Sequence, residues 1–180
     1  MRWGTVPAVG CGIALLLLSG CTSAPGVSPS ATSTDRGSDG VGTTQPGLTV
    51  ESAKRIALGM ESDIVAAFPE GSVNIVDRAP DGILLRCNAD RAYSWTGRTT
   101  VDLTSDATPQ NVIETVTIAY RSDEEFVPED ITDGGVPGMQ LNGPHGSGYV
   151  VVGRRPGEVT IDMYSPCFVL PENRSSSARY

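Results

Sequence analysis

Residues 149–164 read YVVVGRRPGEVTIDMY, and this stretch decides the fold. Two runs suited to β-strands, Tyr149 to Arg154 and Glu158 to Tyr164, flank a Pro156-Gly157 turn. The stretch therefore predicts a β-hairpin, and Met139-Gln140-Leu141 predicts a short strand ahead of it. Strands joined by such short turns pair antiparallel, so the sheet around this hairpin should be antiparallel.

Two helices are expected elsewhere in the chain. Thr49 can cap the first, in which apolar residues recur every three or four positions over 50–67 before Pro69 stops it. The pair Thr108-Pro109 is a cap followed by a proline at the first helical position, which predicts the second helix. The β-branched run 112–118 also fits a strand, and the sequence alone leaves that alternative open.

Three strands should lie between the two helices. Residues 73–75 alternate with polar neighbours, and the turn Pro80-Asp81-Gly82 leads into the apolar run 83–87, so these two strands should form a hairpin. The next strand, 93–103, is long and places Tyr93, Trp95, Thr99, Val101 and Leu103 on one face. Gly97 within it marks a bulge or a close contact.

The order of elements is thus helix, three strands, helix, three strands. It predicts an α+β fold in which an antiparallel sheet of about six strands carries two helices on one face. The folded domain should span residues 48–171, with the Gly/Pro-rich acidic stretch 122–138 as a loop and 172–180 as a disordered tail.

Composition excludes several function classes. The 180 residues carry a net charge of −8, which argues against nucleic acid as a partner. The single histidine excludes a His-rich metal site, and no sequence motif indicates a cofactor. Frequent glycine and proline, with 6% aromatic residues, indicate many turns and a modest aromatic core.

The amino-terminal segment has the features of a signal for export. A short positive region precedes an apolar run that is too short to span a membrane and ends in Leu18-Ser19-Gly20-Cys21. That ending resembles the lipobox of bacterial lipoproteins, although an ordinary signal peptide could also end near a cysteine. The resemblance implies cleavage after Gly20, a lipid on Cys21, the bilayer as partner, and a location on the extracytoplasmic face of the cell membrane. Residues 21–47, rich in Ser, Thr, Gly and Pro, should form a disordered linker.

The remaining cysteines suggest one covalent cross-link. If Cys11 leaves with the signal peptide and Cys21 carries lipid, Cys87 and Cys167 remain as an even pair in an exported domain. Such a pair predicts a disulfide. The alternatives are a reactive thiol pair or metal ligands, but the spacing has no C-x-x-C signature and no histidine lies near either cysteine in sequence.

A second resemblance covers most of the domain. Residues 90–98, DRAYSWTGR, and 165–168, SPCF, resemble small actinobacterial lipoproteins of uncharacterised function. This resemblance implies an envelope location and supplies no catalytic residues.

Two groups of residues suggest a metal-binding or catalytic function, and each also has a simpler interpretation. The acidic cluster, residues 123–125 with Glu129, Asp130 and Asp133, offers oxygen ligands for Ca²⁺, but its spacing does not match an EF-hand and a solvated loop explains it. His145 and Ser147 lie two residues apart and suggest nucleophilic catalysis, but the strand–turn–helix context of G-x-S-x-G is missing. A hairpin loop is the simpler interpretation of this pair, and the sequence favours it.

Aromatic and basic residues offer two further possibilities. Tyr93 and Trp95 could line a ligand groove or pack under a helix. The pair Arg154-Arg155, with Arg91 and Arg98, could contact an anionic wall polymer or lipid headgroups, although the domain as a whole is acidic.

The sequence therefore predicts a membrane-anchored envelope lipoprotein with a non-enzymatic binding or interaction role, whose partner is an envelope protein or a small ligand. The first alternative is a small-molecule or peptide-binding accessory of an envelope transport or export system, which a pocket between the sheet and its helices would favour. The second alternative is an envelope hydrolase.

Overall fold

The computed structural model describes residues 43–180 of the chain. The predicted signal peptide, the predicted lipidation site at Cys21 and most of the predicted linker lie outside the described residues. Within the described part, no helix has the length and apolar character needed to cross a membrane. The last five predicted linker residues are described, and the Gln45 N–H donates to the Cys167 carbonyl oxygen at 2.8 Å.

Besides a short 3₁₀ turn at Pro144–Gly146, the part of the chain that the structure describes forms two α-helices and one eight-stranded sheet. In chain order they are α1 (Val50–Ala66), β1 (Val73–Arg78), β2 (Ile83–Arg86), β3 (Ala92–Leu103), α2 (Pro109–Tyr120), β4 (Val127–Asp130), β5 (Gly138–Asn142), β6 (Gly148–Arg155), β7 (Glu158–Tyr164) and β8 (Phe168–Val169). Every strand pair is antiparallel, so the predicted α+β class is confirmed. The sheet has eight strands and not the predicted six. Strand β4 lies within the stretch 122–138 that was expected to be a loop, and β8 directly follows Cys167.

Side-chain caps explain where both helices begin. At the start of α1, the Ser52 N–H donates to Thr49 Oγ1 at 3.2 Å and the Thr49 N–H donates to Ser52 Oγ at 2.8 Å, forming a capping box. At the start of α2, Thr108 Oγ1 accepts from the Asn111 N–H at 3.3 Å. The helix over 109–120 is therefore confirmed, and the alternative strand over 112–118 is wrong.

The strands of the sheet lie in the order β1-β3-β7-β6-β5-β4, with β2 and β8 both paired to β3. Strand β3 therefore organises one half of the sheet. Strands β1 and β2 lie end to end along one edge of β3, with Arg78 opposite Thr99 and Ile83 opposite Thr96. The predicted hairpin between them is therefore wrong. A strand of twelve residues offers enough backbone groups for two short partners, and the connection 79–82 continues along the same edge.

The second half of the sheet is a meander from β4 to β7. The predicted hairpin of β6 and β7 is confirmed, with Val150 opposite Asp162 and Gly157 at φ 73° in the turn. Strand β4 forms the outer edge of this half. Its sequence, VPED, contains a proline and two acidic residues, which suit an edge strand because they discourage pairing with another chain.

The core lies between the sheet and both helices, as predicted. Helix α1 packs on β3 and β7, and α2 packs on β5 and β6. The largest buried side chains come from different strands: Trp95, Tyr149 and Phe168. Burial of each such side chain contributes about 1.5–3 kcal/mol to the free energy of unfolding.

Two glycines make room for Trp95. A Cβ atom at Gly97 would lie 2.4 Å from the Trp95 ring, and one at Gly82 would meet both that ring and the Thr96 carbonyl oxygen. The close contact predicted as one alternative for Gly97 is therefore observed. The sequence also suggested that Gly82 would supply the positive φ of a turn, but its φ is not positive, so its role is to leave space for the Trp95 ring.

One carboxylate is buried within the core. Glu61 of α1 is fully buried, and its Oε2 accepts from Arg78 Nε at 2.8 Å. Its second oxygen, Oε1, has no hydrogen-bond partner among the described residues. The Arg78 side chain is 43% exposed, so the cost of desolvation falls mainly on the carboxylate and offsets much of the attraction between the two charges.

The segment 172–180 differs from the predicted disordered tail. It forms two turns, and Tyr180 pairs with Gly82 through two backbone hydrogen bonds. Tyr180 also packs against the core cluster. The Tyr180 side chain buries apolar surface against the core, and the free energy gained by this burial explains why the segment is ordered.

Candidate functional site

The predicted disulfide is formed. Cys87 and Cys167 are bonded across a separation of 80 residues, joining the end of β2 to the start of β8. Backbone groups around it are also paired: the Cys167 N–H donates to the His145 carbonyl oxygen, and the Cys87 N–H donates to the Ala92 carbonyl oxygen. The bridge therefore ties β2, β8 and the turn at 144–146 together.

His145 and Ser147 occupy the turn beside this bridge. His145 adopts a left-handed backbone conformation, φ 53°, and its Nδ1 lies 3.2 Å from Thr43 Oγ1. The Ser147 hydroxyl donates to the Pro144 carbonyl oxygen at 2.8 Å. No hydrogen bond joins the two side chains among the described residues, so the structure supports the hairpin-loop interpretation of this pair.

Trp95 packs in the core and does not line an open groove. Its side chain is 1% exposed, and the ammonium of Lys54 lies 5.6 Å from the ring centroid. The indole Nε1 donates to the backbone oxygen of Tyr180 at 3.1 Å. Tyr93 is partly buried against the same core cluster. The packing interpretation of these aromatic residues therefore agrees with their positions.

The acidic cluster bonds mainly to its own backbone. Asp123 Oδ1 accepts from the N–H groups of Glu125 and Phe126 at 2.8 Å each, and Asp130 Oδ1 accepts from the Thr132 N–H at 2.8 Å. This bond lowers the pKa of the Asp130 carboxyl. Within the described residues, no three histidine, cysteine or acidic side chains converge as metal ligands. The carboxylates thus organise the turns that flank β4.

The four arginines named from the sequence do not form one patch. Arg98 makes a bidentate pair with Asp162 on the uncovered face of the sheet, at 2.5 and 3.0 Å, and the carboxylate raises the pKa of the guanidinium. Arg91 donates to the Leu170 carbonyl oxygen, and Arg155 lies 3.6 Å from Glu158. Arg154 makes no ion pair with any described residue.

A groove that the sequence did not reveal lies between α2 and the β4–β5 edge. Its volume is about 300 Å³. The lining residues come from one face of α2, from β4 and from the start of β5: Gln110, Ile113, Glu114, Thr117, Ile118, Arg121, Asp130, Thr132 and Gly138. Ile113 is buried at its base, whereas Ile118 is 60% exposed. A pocket between the sheet and a helix is the feature that favours a ligand-binding role.

The α2 groove presents both signs of charge. Arg121 at one end makes no ion pair within the described part of the chain, so its guanidinium is available to a ligand. Glu114 accepts from Gln110 Nε2 at 2.6 Å, and Asp130 supplies a second carboxylate. The Thr117 hydroxyl already donates to the Ile113 carbonyl oxygen at 2.8 Å. The groove can therefore hold a small polar molecule by ionic and hydrogen-bonding contacts.

One sequence signal for this groove was present. Positions 110, 114, 117 and 121 recur every three or four residues, so α2 carries a polar stripe beside its buried one. That stripe alone predicts a solvated face. The opposite wall comes from β4, which the sequence placed in a loop, so the groove itself could not be predicted.

Comparison of the chain with models of known protein families, with curated protein sequences and with solved structures finds no match.

Proposed function

We propose that this chain is a lipoprotein held on the extracytoplasmic face of the cell membrane through an acylated Cys21, and that its folded domain has a binding role without catalysis. The disulfide between Cys87 and Cys167 supports the location, because structural disulfides persist in oxidising compartments and are rare in the cytosol. The lipobox-like ending of the apolar run supports the anchor.

The observation that carries the binding role is the α2 groove. It combines an unpaired guanidinium, Arg121, with the carboxylates of Glu114 and Asp130 above an apolar base. A ligand with an anionic and a cationic group, such as a short peptide or an amino-acid-like molecule, would satisfy both kinds of charge. We therefore favour a small-molecule or peptide-binding accessory of an envelope system over a purely structural envelope protein.

The anchor is tested by Cys21→Ala in cells that export the full chain. The variant should lose incorporation of labelled fatty acid and move from the membrane fraction to the soluble fraction, because the acyl chains supply the membrane affinity. Cys11→Ala is the matched control, since that cysteine lies within the predicted signal peptide and should leave fractionation unchanged. Equal membrane retention of both variants would contradict the proposed anchor.

The groove is tested by titrating the ¹⁵N-labelled protein with a panel of free amino acids and dipeptides. A ligand should shift the amide resonances of Gln110, Thr117 and Arg121. Arg121→Gln should then weaken binding by about ten-fold or more, because a hydrogen bond to a charged group contributes about 1.5–3 kcal/mol. Arg55→Gln, an exposed charge on α1, should have no effect. Shifts confined to another surface would reject the groove as the binding site.

A further inference from the structure

Residues 171–180, here called the strap, end beside Gly82, the residue that precedes β2. One residue of the strap makes the main-chain contacts: the Tyr180 N–H donates to the Gly82 carbonyl oxygen at 3.2 Å, and the Gly82 N–H donates to the Tyr180 backbone oxygen at 2.8 Å. The same Tyr180 oxygen accepts from Trp95 Nε1 at 3.1 Å. We call these two Gly82 backbone groups and the Trp95 indole N–H the Gly82 slot.

The Gly82 slot recognises the backbone of one extended residue. Gly82 offers a donor and an acceptor in the arrangement of an antiparallel strand pair, which any extended residue can satisfy. The indole N–H adds a third bond, and Trp95 is so deeply buried that this donor finds no other acceptor among the described residues. A buried donor without an acceptor costs free energy, so the slot is more stable when a chain occupies it than when it is empty.

The geometry around Gly82 keeps the slot open to a chain. A Cβ atom at Gly82 would lie 2.2 Å from the Thr96 carbonyl oxygen and 2.4 Å from the Trp95 ring, so a larger residue would displace the groups that form the slot. The Lys54 ammonium donates to the Pro80 carbonyl oxygen at 2.9 Å beside it. This contact fixes the connection between β1 and β2, which contains Gly82, to helix α1.

The strap itself is held by few contacts. Between Leu170 and Tyr180, its backbone hydrogen bonds are internal, from Arg174 to Pro171 and from Ala178 to Ser175. The other attachment is the ion pair of Arg174 with Glu51 on α1, in which the two side chains are 40% and 59% exposed. Exposed ion pairs stabilise weakly, and segments with few buried contacts open more readily than the sheet that supports them.

We propose that the Gly82 slot is a peptide-binding site which the strap occupies in the isolated chain, and that a partner peptide carrying an extended aromatic residue displaces the strap. The strap defines the chemistry that fits: an extended backbone whose aromatic side chain, here Tyr180, packs against the core cluster. This site is separate from the α2 groove, so its test does not depend on the proposed ligand of that groove.

The experiment uses the full chain with Trp3→Phe, which leaves Trp95 as its sole tryptophan, and a form of it lacking residues 175–180. The probe is a synthetic peptide of sequence SSSARY. The strap-deleted chain should bind it with a dissociation constant about ten-fold or more below that of the intact chain, because the tethered strap competes for the slot. Binding should return the Trp95 indole ¹⁵N–¹H resonance to its position in the intact chain.

Matched controls separate slot binding from nonspecific contact. The peptide SSSARA should bind the strap-deleted chain about ten-fold more weakly, because it lacks the aromatic side chain. Trp95→Phe in the same background should also weaken binding, since it removes the indole donor and retains an aromatic ring, and a dispersed amide spectrum verifies that the variant folds.

Three results would overturn the proposal. The folded strap-deleted chain could fail to bind SSSARY, or the intact and deleted chains could bind it equally. Alternatively, the intact chain could double its mass in light scattering and lose the doubling on strap deletion. That last result would assign the slot to the strap of a second copy and not to a partner peptide.

Discussion

Removing the disulfide should cost the domain a large part of its stability. In the variant Cys87→Ala/Cys167→Ala the unfolded chain is no longer closed into a loop of 80 residues, which by the chain-entropy relation lowers the free energy of unfolding by about 4.5 kcal/mol. Domains of this size are stable by about 5–15 kcal/mol in total. With an unfolding entropy of about 2.1 cal/mol/K per residue and roughly 140 folded residues, the melting temperature should fall by about 15 °C.

The assay is urea unfolding followed by Trp95 fluorescence and far-ultraviolet circular dichroism. The slope of the free energy against urea concentration should increase in the variant, because the unfolded chain without the bridge is more expanded and exposes more surface. Free energies extrapolated to water should therefore be compared, since the steeper slope lowers the midpoint of the variant further and transition midpoints would overstate the effect of the bridge.

The control is the natural sequence treated with dithiothreitol. It retains both sulfur atoms and lacks only the bond, so it should lose the same free energy of unfolding as the double alanine variant. A loss confined to the alanine variant would attribute the effect to the volume removed near Cys167, which is buried. A loss below about 1.5 kcal/mol in both forms would refute the argument from loop closure.

The remaining predictions concern the core, and each is measured by thermal or urea unfolding. Gly97→Ala should destabilise the folded protein by about 1–3 kcal/mol, because the added Cβ would overlap the Trp95 ring. Gly59→Ala, on α1 with open space around the added Cβ, should stabilise the folded protein by about 0.5–1 kcal/mol. Equal effects of the two substitutions would contradict the contact between Gly97 and Trp95. Burial raises the pKa of Tyr149, so the stabilisation of the folded state by its neutral hydroxyl is complete below about pH 10 and is lost as the pH rises further. Tyr149→Phe should therefore flatten the decline of stability at alkaline pH. An unchanged dependence of stability on pH would show that Tyr149 does not cause the decline. Glu61→Met should change stability by less than about 1 kcal/mol or increase it, because one carboxylate oxygen is buried without a partner; a loss above about 3 kcal/mol would show that the ion pair stabilises.

Local chemistry made much of the fold predictable. The caps at Thr49 and Thr108, the helical periods that follow them and the Pro156-Gly157 turn act over a few residues, and the corresponding helices and hairpin are observed. The pairing of Cys87 with Cys167 was also predictable, because only two cysteines remain in the domain.

Strand pairing was less predictable because it depends on residues far apart in sequence. Residues 73–87 contain the turn signal of a hairpin, yet β1 and β2 both pair with β3, whose long edge offers more backbone partners than either short strand offers the other. Strand β4 has little periodicity of its own and exists because β5 lies beside it.

The sequence by itself determined the positions of both helices, the hairpin of β6 and β7, and the pairing of Cys87 with Cys167. It also predicts the address at Cys21. The tertiary structure alone decided the α2 groove and the Gly82 slot. Both sites are formed where segments distant in the chain meet: α2 with β4, and Gly82 with Trp95 and Tyr180. Residue type and spacing report local conformational preference, whereas the free energy of such contacts depends on which surfaces the completed sheet brings together.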